Sequence, residues 1–114
     1  MEYNLEKRTE TFGENIIDLC KKFPKNTITL PLVSQIIRSG TSVGANYCEA
    51  NGASSKKEFR VKILICKKEI IETKYWLKML AKADNIQIDE CRKLWQEAQE
   101  LTLIFSKIAS NSKN

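Results

Sequence analysis

The chain has no histidine, and only two prolines, four glycines and four cysteines among its 114 residues. Each shortage excludes something. Without histidine the commonest general base is missing, the usual Cys/His zinc sites are excluded, and the Glu-x-x-His motif of carboxylate-bridged metal bundles cannot be built. Cys20, Cys48, Cys66 and Cys91 are widely separated, form no CxxC pair and lie beside apolar helical positions. They read as four buried, reduced thiols of a cytoplasmic protein. No apolar run approaches the roughly 20 residues that span a bilayer, and the opening MEYNLEKRTE is charged, with no signal-peptide core. We therefore expect no membrane partner, no metal, no cofactor and no catalysis. Glu49, Glu69 and Glu72 are the one carboxylate set that could hold a metal; three glutamates in a helical protein are more simply structural.

What is present fits a single globular domain over residues 1–114, with 42% hydrophobic and 29% charged residues. Lys and Arg number 19 against 14 Asp and Glu, a net charge of +5. That excess is mild, and it points towards an anionic partner without establishing one.

Helical periodicity runs almost throughout. A first helix is predicted over about 4–23, where Phe12, Ile16, Leu19 and Phe23 recur at helical spacing and Pro24 stops the chain. A second is predicted over about 30–51, with Pro31 in its opening turn. Its apolar or small stripe is Val33, Ile36 or Ile37, Gly40, Gly44 and Tyr47, closed by Gly52. Glycine inside a helix costs about 1 kcal/mol against alanine, so Gly40 and Gly44 imply close approach of another backbone. The third helix, over about 55–83, opens on a capping-box pattern in Ser55-Lys56-Lys57-Glu58. Phe59, Ile63, Cys66, Ile70, Thr73, Leu77 and Leu80 form an unbroken seam along it. After a turn at Asp84-Asn85, the fourth helix over about 89–109 repeats the rhythm with Cys91, Leu94, Ala98, Leu101, Phe105 and Ile108, and SNSKN is a polar tail. Short connections between four helices predict an all-α, antiparallel up-down-up-down four-helix bundle.

The third helix has four different sides. With the seam as zero, Val61, Leu64, Ile65, Ile71, Tyr75 and Met79 fall at about 120–240°, where the surface helix of a monomer would be polar. This second apolar side either lies under the first helix or the loops, or forms an oligomer interface, the reading we prefer. Lys56, Arg60, Lys67, Lys74 and Lys78 fall at about 60–100°, with Lys82 nearby, and Glu58, Glu69, Glu72 and Trp76 at about 220–280°. From Ser54 to Ala83 nine Lys or Arg face three Glu, so this helix carries the whole basic excess. Its lysine stripe is either a solvated face or a nucleic-acid surface.

The run from Gln35 to Ala50, QIIRSGTSVGANYCEA, is more specific than any periodicity, and Lys68-Glu69, Glu72-Thr73 and Tyr75-Trp76-Leu77 accompany it. Together these resemble the bacterial four-helix bundle proteins encoded in intervening sequences of large-subunit ribosomal RNA genes. That family is related to the accessory variability determinants of diversity-generating retroelements. Arg38, Ser39, Gly40, Ser42, Gly44, Asn46 and Glu49 match the signature, along with Glu69, Glu72 and Trp76. The resemblance implies a homopentameric barrel of bundles. From the retroelement relatives it also implies a basic surface that binds nucleic acid and a reverse transcriptase. Gln35, Arg38, Ser39, Ser42, Asn46 and Glu49 share one side of the second helix, opposite the glycines. That side is either a ligand surface or, as we prefer, a hydrogen-bonded network with Glu69 and Glu72.

The functional expectation is a non-enzymatic, homo-oligomeric (pentameric) ring. It would bind RNA or DNA through Lys56, Arg60, Lys67, Lys74, Lys78 and Lys82. No aromatic platform for bases is evident, so backbone or shape recognition is expected. The alternative is an adaptor for a protein partner, with the charge incidental.

Overall fold

Four helices account for nearly all of the computed structural model, which describes residues 4–113. They are α1 (Leu5–Cys20), α2 (Thr29–Asn51), α3 (Lys56–Ala83) and α4 (Ile88–Asn111), with a 3₁₀ turn over Asn85–Gln87 between the last two. Part of the charged N-terminus (residues 1–3) and the last residue of the polar tail (114) lie outside the described residues. No strand occurs among the described residues, and the helices pack as a bundle in which α3 meets both α2 and α4, while α1 lies chiefly on α2.

The helix ends follow from local chemistry. Before Pro24 the chain tightens, with Lys22 N donating to Leu19 O and Phe23 N to Cys20 O, so α1 ends at Cys20, three residues earlier than predicted. The residue preceding a proline is disfavoured in helical geometry. Phe23 stays buried all the same. The start of α2 is set by a device the sequence did not suggest. Asn26 Oδ1 accepts from the backbone N–H groups of Ile28 and Thr29, both at 2.9 Å, and the Thr29 hydroxyl bonds the Pro24 carbonyl. At α3, Ser55 Oγ accepts from Glu58 N at 3.0 Å, half of the predicted capping box. The other half is displaced by one residue: the Glu58 carboxylate accepts from Ser54 N and Ser54 Oγ, both at 2.9 Å. Those bonds hold the Glu58 carboxyl below its usual range. Asp84 closes the next connection by accepting from Ile86 N at 3.1 Å, and α4 runs on to Asn111, two residues beyond its predicted end.

The core is one cluster drawn from all four helices. Ile63, Cys66, Ile70, Leu77 and Leu80 of α3 are essentially inaccessible, as are Ile36 and Val43 of α2, Phe12 and Ile16 of α1, and Leu101 and Phe105 of α4. Phe59, at the head of the predicted seam, is only half-buried. Two corrections concern α2. Val43, absent from its predicted stripe, is fully buried, and Ser39, assigned to a polar side away from the glycines, is fully buried beside Gly40. The physical reason is that α2 is wedged between α1 and α3 and therefore buries two sides.

The glycines mark where α2 crosses α1. A β carbon on Gly44 would sit 3.4 Å from both the carbonyl oxygen and the hydroxyl of Thr9. One on Gly40 would meet Ile16 at 3.0 and 3.1 Å. Gly44→Ala should therefore be close to neutral, because ordinary contact is offset by about 1 kcal/mol of improved helix propensity. Gly40→Ala should be less stable than Gly44→Ala, since Ile16 must move. Gly44→Leu overpacks the crossing and should cost about 1–3 kcal/mol. Urea unfolding followed by circular dichroism measures all three; a Gly44→Leu variant as stable as the parent would show that the crossing is not close.

Candidate assembly and nucleic-acid interface

The signature of α2 splits between its two neighbours. Gly40 and Gly44 serve the α1 crossing, and Arg38, Ser39 and Glu49 serve α3. Arg38 Nη1 donates to Glu69 Oε1 at 3.2 Å, and its Nη2 donates to Glu72. Trp76 Nε1 donates to the same Glu72 carboxylate at 2.9 Å. The Trp76 bond, and then Arg38, hold the Glu72 carboxyl below the usual carboxylate range, and Glu72 in turn raises the Arg38 guanidinium. Glu69 is buried, so its charge requires that arginine. Beneath this group the Thr73 hydroxyl lies 2.8 Å from both Ser39 Oγ and the Glu69 carbonyl. Further along, Glu49 pairs with Lys62 at 2.6 Å, while Ser42 and Asn46 turn back onto carbonyls of α2 itself. Of the polar signature, Arg38 alone reaches Glu69 and Glu72 directly and Ser39 joins them through Thr73, while Ser42, Asn46 and Glu49 bond elsewhere. Glu49, Glu69 and Glu72 do not converge, and no cluster of three potential metal ligands exists among the described residues.

The second apolar side of α3 faces outward. Val61 is 48% exposed, Leu64 37%, Ile71 45% and Tyr75 54%, with Ile65 and Met79 half-buried. Neither α1 nor a loop covers this side. Tyr75 stands edge-on to Trp76, with ring centroids 5.0 Å apart.

The basic side of α3 is divided, a correction to its expected solvation. Because α4 packs along it, Arg60 Nε donates to the Ala109 carbonyl at 3.1 Å and Lys74 Nζ donates to Gln99 Oε1 at 2.6 Å. Lys74 and Lys78 stand over the Trp95 ring, 5.2 and 5.8 Å from its centroid, a cation–π arrangement. Lys56, Lys78 and Lys82 are exposed and Lys67 half-buried, and none makes an ion pair among the described residues. The cysteines are all free, and Cys48 is exposed, contrary to the expectation of four buried thiols. Burial pushes the thiols of Cys20 and Cys91 up to about 11 and that of Cys66 up to about 12.

Two further features were not apparent in the sequence. Arg8 ties α1 to α4 through Glu97 at 2.6 Å and Glu100 at 3.3 Å, a pairing across about ninety residues that no local pattern announces. A groove of about 330 Å³ between α1 and α2 has Glu6, Glu10 and Glu14 on its rim; their spacing by four was the available signal.

The description "23S rRNA-intervening sequence protein" belongs to a family model that matches residues 1–107. A crystal structure of a protein of unknown function from the S23 ribosomal protein family of Bacteroides thetaiotaomicron is similar, with a TM-score of 0.84 and 30% identity over 92% of this chain and 94% of that one. No curated protein sequence matches the chain.

Removing Arg38 isolates a buried and a half-buried carboxylate. Arg38→Met should cost about 1–3 kcal/mol at pH 7, the usual penalty for leaving such partners unsatisfied. Because the Glu72 carboxyl is depressed in the folded state, its contribution is present above its unfolded pKa, roughly 4.3, and is lost as pH falls through the folded value. The gap between parent and variant should therefore narrow in urea titrations near pH 3. An equal gap at both pH values would mean that Arg38 acts by packing alone.

Proposed function

This chain belongs to the 23S rRNA-intervening sequence protein family, and from that premise we propose that it is a non-enzymatic scaffold that assembles into a homo-oligomeric ring, five copies in the form the family resemblance implies, and holds nucleic acid on its basic side. The observation that carries this reading is the exposed apolar side of α3. Val61, Leu64, Ile71 and Tyr75 line up on a helix whose opposite side is already committed to the core. Exposed apolar side chains grouped on one side of a helix, rather than scattered singly, are characteristic of an interface. Within each copy the bundle is antiparallel, up-down-up-down. Partners run in opposite order along neighbouring helices, as in Arg38 with Glu72 and Glu49 with Lys62, or Arg60 with Ala109 and Lys74 with Gln99.

Nucleic acid is the partner that the remaining charge fits. Arg38 pairs with Glu69 and Glu72 within the fold, and nine Lys or Arg against three Glu leave the outward charge of α3 dominated by lysine. Repeated around a ring, Lys56, Lys67, Lys78 and Lys82 would present phosphate contacts in parallel, and multivalency would strengthen weak individual contacts. Recognition would be of backbone and shape. The engagement of Arg60 and Lys74 by α4 is what favours the second reading, an adaptor for a protein such as a reverse transcriptase. No helix among the described residues is long and apolar enough to cross a membrane, and a cytoplasmic location completes the proposal.

Light scattering on the purified protein should give a mass several times 13.1 kDa, and Ile71→Glu with Met79→Glu should reduce it to one chain with the helical spectrum retained. A monomeric parent would contradict the scaffold. In fluorescence anisotropy, structured RNA or duplex DNA should bind at low salt and be released steeply as salt rises. Lys67→Glu, Lys78→Glu and Lys82→Glu together should abolish that binding. Absence of binding at low salt would transfer the assignment to the protein adaptor.

A further inference from the structure

We propose that the outward side of α3 seats in the α1–α2 groove of a second copy, so that two different surfaces of the chain meet; this rests on the self-association proposed above and specifies which surfaces pair. The side of α3 that offers Val61, Leu64, Ile71 and Tyr75 also carries Lys57 and Lys68, both exposed. These lysines fall at about 160–180° from the core seam, and no acidic residue shares that range. The α1–α2 groove has the complementary character. Its charged rim is entirely acidic, Glu6, Glu10 and Glu14. Its floor is low because Gly13 and Gly44 have no side chains, and the bare backbones of α1 and α2 approach there. Of the three glutamates, only Glu10 has a basic partner among the described residues, an exposed Lys7 at 3.7 Å. The groove thus has room for branched and aromatic side chains and unpaired negative charge beside it.

Charge also decides against the simplest alternative. If α3 met α3 of another copy across a two-fold axis, Lys57 and Lys68 of both copies would be brought together. Juxtaposed like charges oppose such a contact. Seating α3 on the acidic groove pairs them instead. The two charged rows are of similar length, roughly 16 Å from Lys57 to Lys68 and roughly 12 Å from Glu6 to Glu14 at 1.5 Å per residue. A contact between unlike surfaces leaves one free face and one free groove at the ends of any open chain, so it closes into a ring or continues as a filament. A two-fold contact would stop at a dimer.

Cys48 gives the test, since it is exposed and lines the groove while the other three cysteines are buried. Ile71→Cys places a second thiol on the α3 side. Treatment of that variant with a short bismaleimide should give a ladder of covalent species extending past the dimer, and adding Cys48→Ser should remove the ladder. Covalent dimers that persist in the Cys48→Ser background would show α3 meeting itself and would overturn the proposal. Absence of cross-linking in a protein that light scattering shows to be multimeric would overturn it too, while leaving self-association standing. A monomeric parent would defeat both. Charge reversal supplies an independent arm. Glu10→Lys with Glu14→Lys should dissociate the assembly, and adding Lys57→Glu with Lys68→Glu should restore its mass. Failure of that restoration, with the acidic variant dissociated and folded, contradicts the pairing.

Discussion

The burial of one unbroken seam on α3 is the constraint on which the other features depend. Ile63, Cys66, Ile70, Thr73, Leu77 and Leu80 are inaccessible along some five turns, and each must be matched by side chains from α2 and α4 at native packing density. Once that side is fixed inward, the orientation of every other side of the helix follows from 3.6 residues per turn. Glu69, Glu72 and Trp76 are delivered to α2. Arg60 and Lys74 are delivered to α4, where a carbonyl and an amide receive them. Val61, Leu64, Ile71 and Tyr75 are left outside.

Between α2 and α3 the consequence is an ionic network at the edge of the core. A buried carboxylate is tolerated only when its charge is matched and its lone pairs are occupied. Arg38 lies against both Glu69 and Glu72, one positive charge shared by two carboxylates, and Trp76 occupies a further lone pair of Glu72. Such a network adds register to a contact that apolar packing alone would leave free to slip. Arg38 can satisfy both glutamates only at one longitudinal setting of α2 against α3. The glycines act on the opposite side of α2 in a complementary way, removing bulk so that Thr9 and Ile16 of α1 can approach.

What was legible in the sequence was periodic. The helices, the seam and the apolar second side of α3 are repeats of three and four residues, and the close approach at Gly40 and Gly44 follows from the cost of glycine in a helix. The link from Arg38 to Glu69 and Glu72 was legible from residue type and from the resemblance. What was not legible depended on where neighbouring helices sit. Ser39 and Val43 are buried because α2 has two partners, and a single-helix projection assigns only one. Arg60 and Lys74 look solvated until α4 is placed beside them. Cys48 lies beside apolar helical positions and reads as buried, yet it is exposed where it lines a groove between α1 and α2. The Asn26 and Thr29 capping of α2 was hidden in a connection with no periodicity to betray it.

The central claim is that the outward side of α3 is covered in the assembled protein. Hydroxyl-radical footprinting of Tyr75 over a range of protein concentration tests it directly, because modification reads the exposure of that ring rather than the mass of the particle. In a single copy the ring is about half exposed, at 54%. We expect it to be modified readily at high dilution and to become protected as concentration rises, while Ile86, 78% exposed in the turn before α4, reacts at a constant rate. Tyr75 modified equally at every concentration, in step with Ile86, would contradict the account.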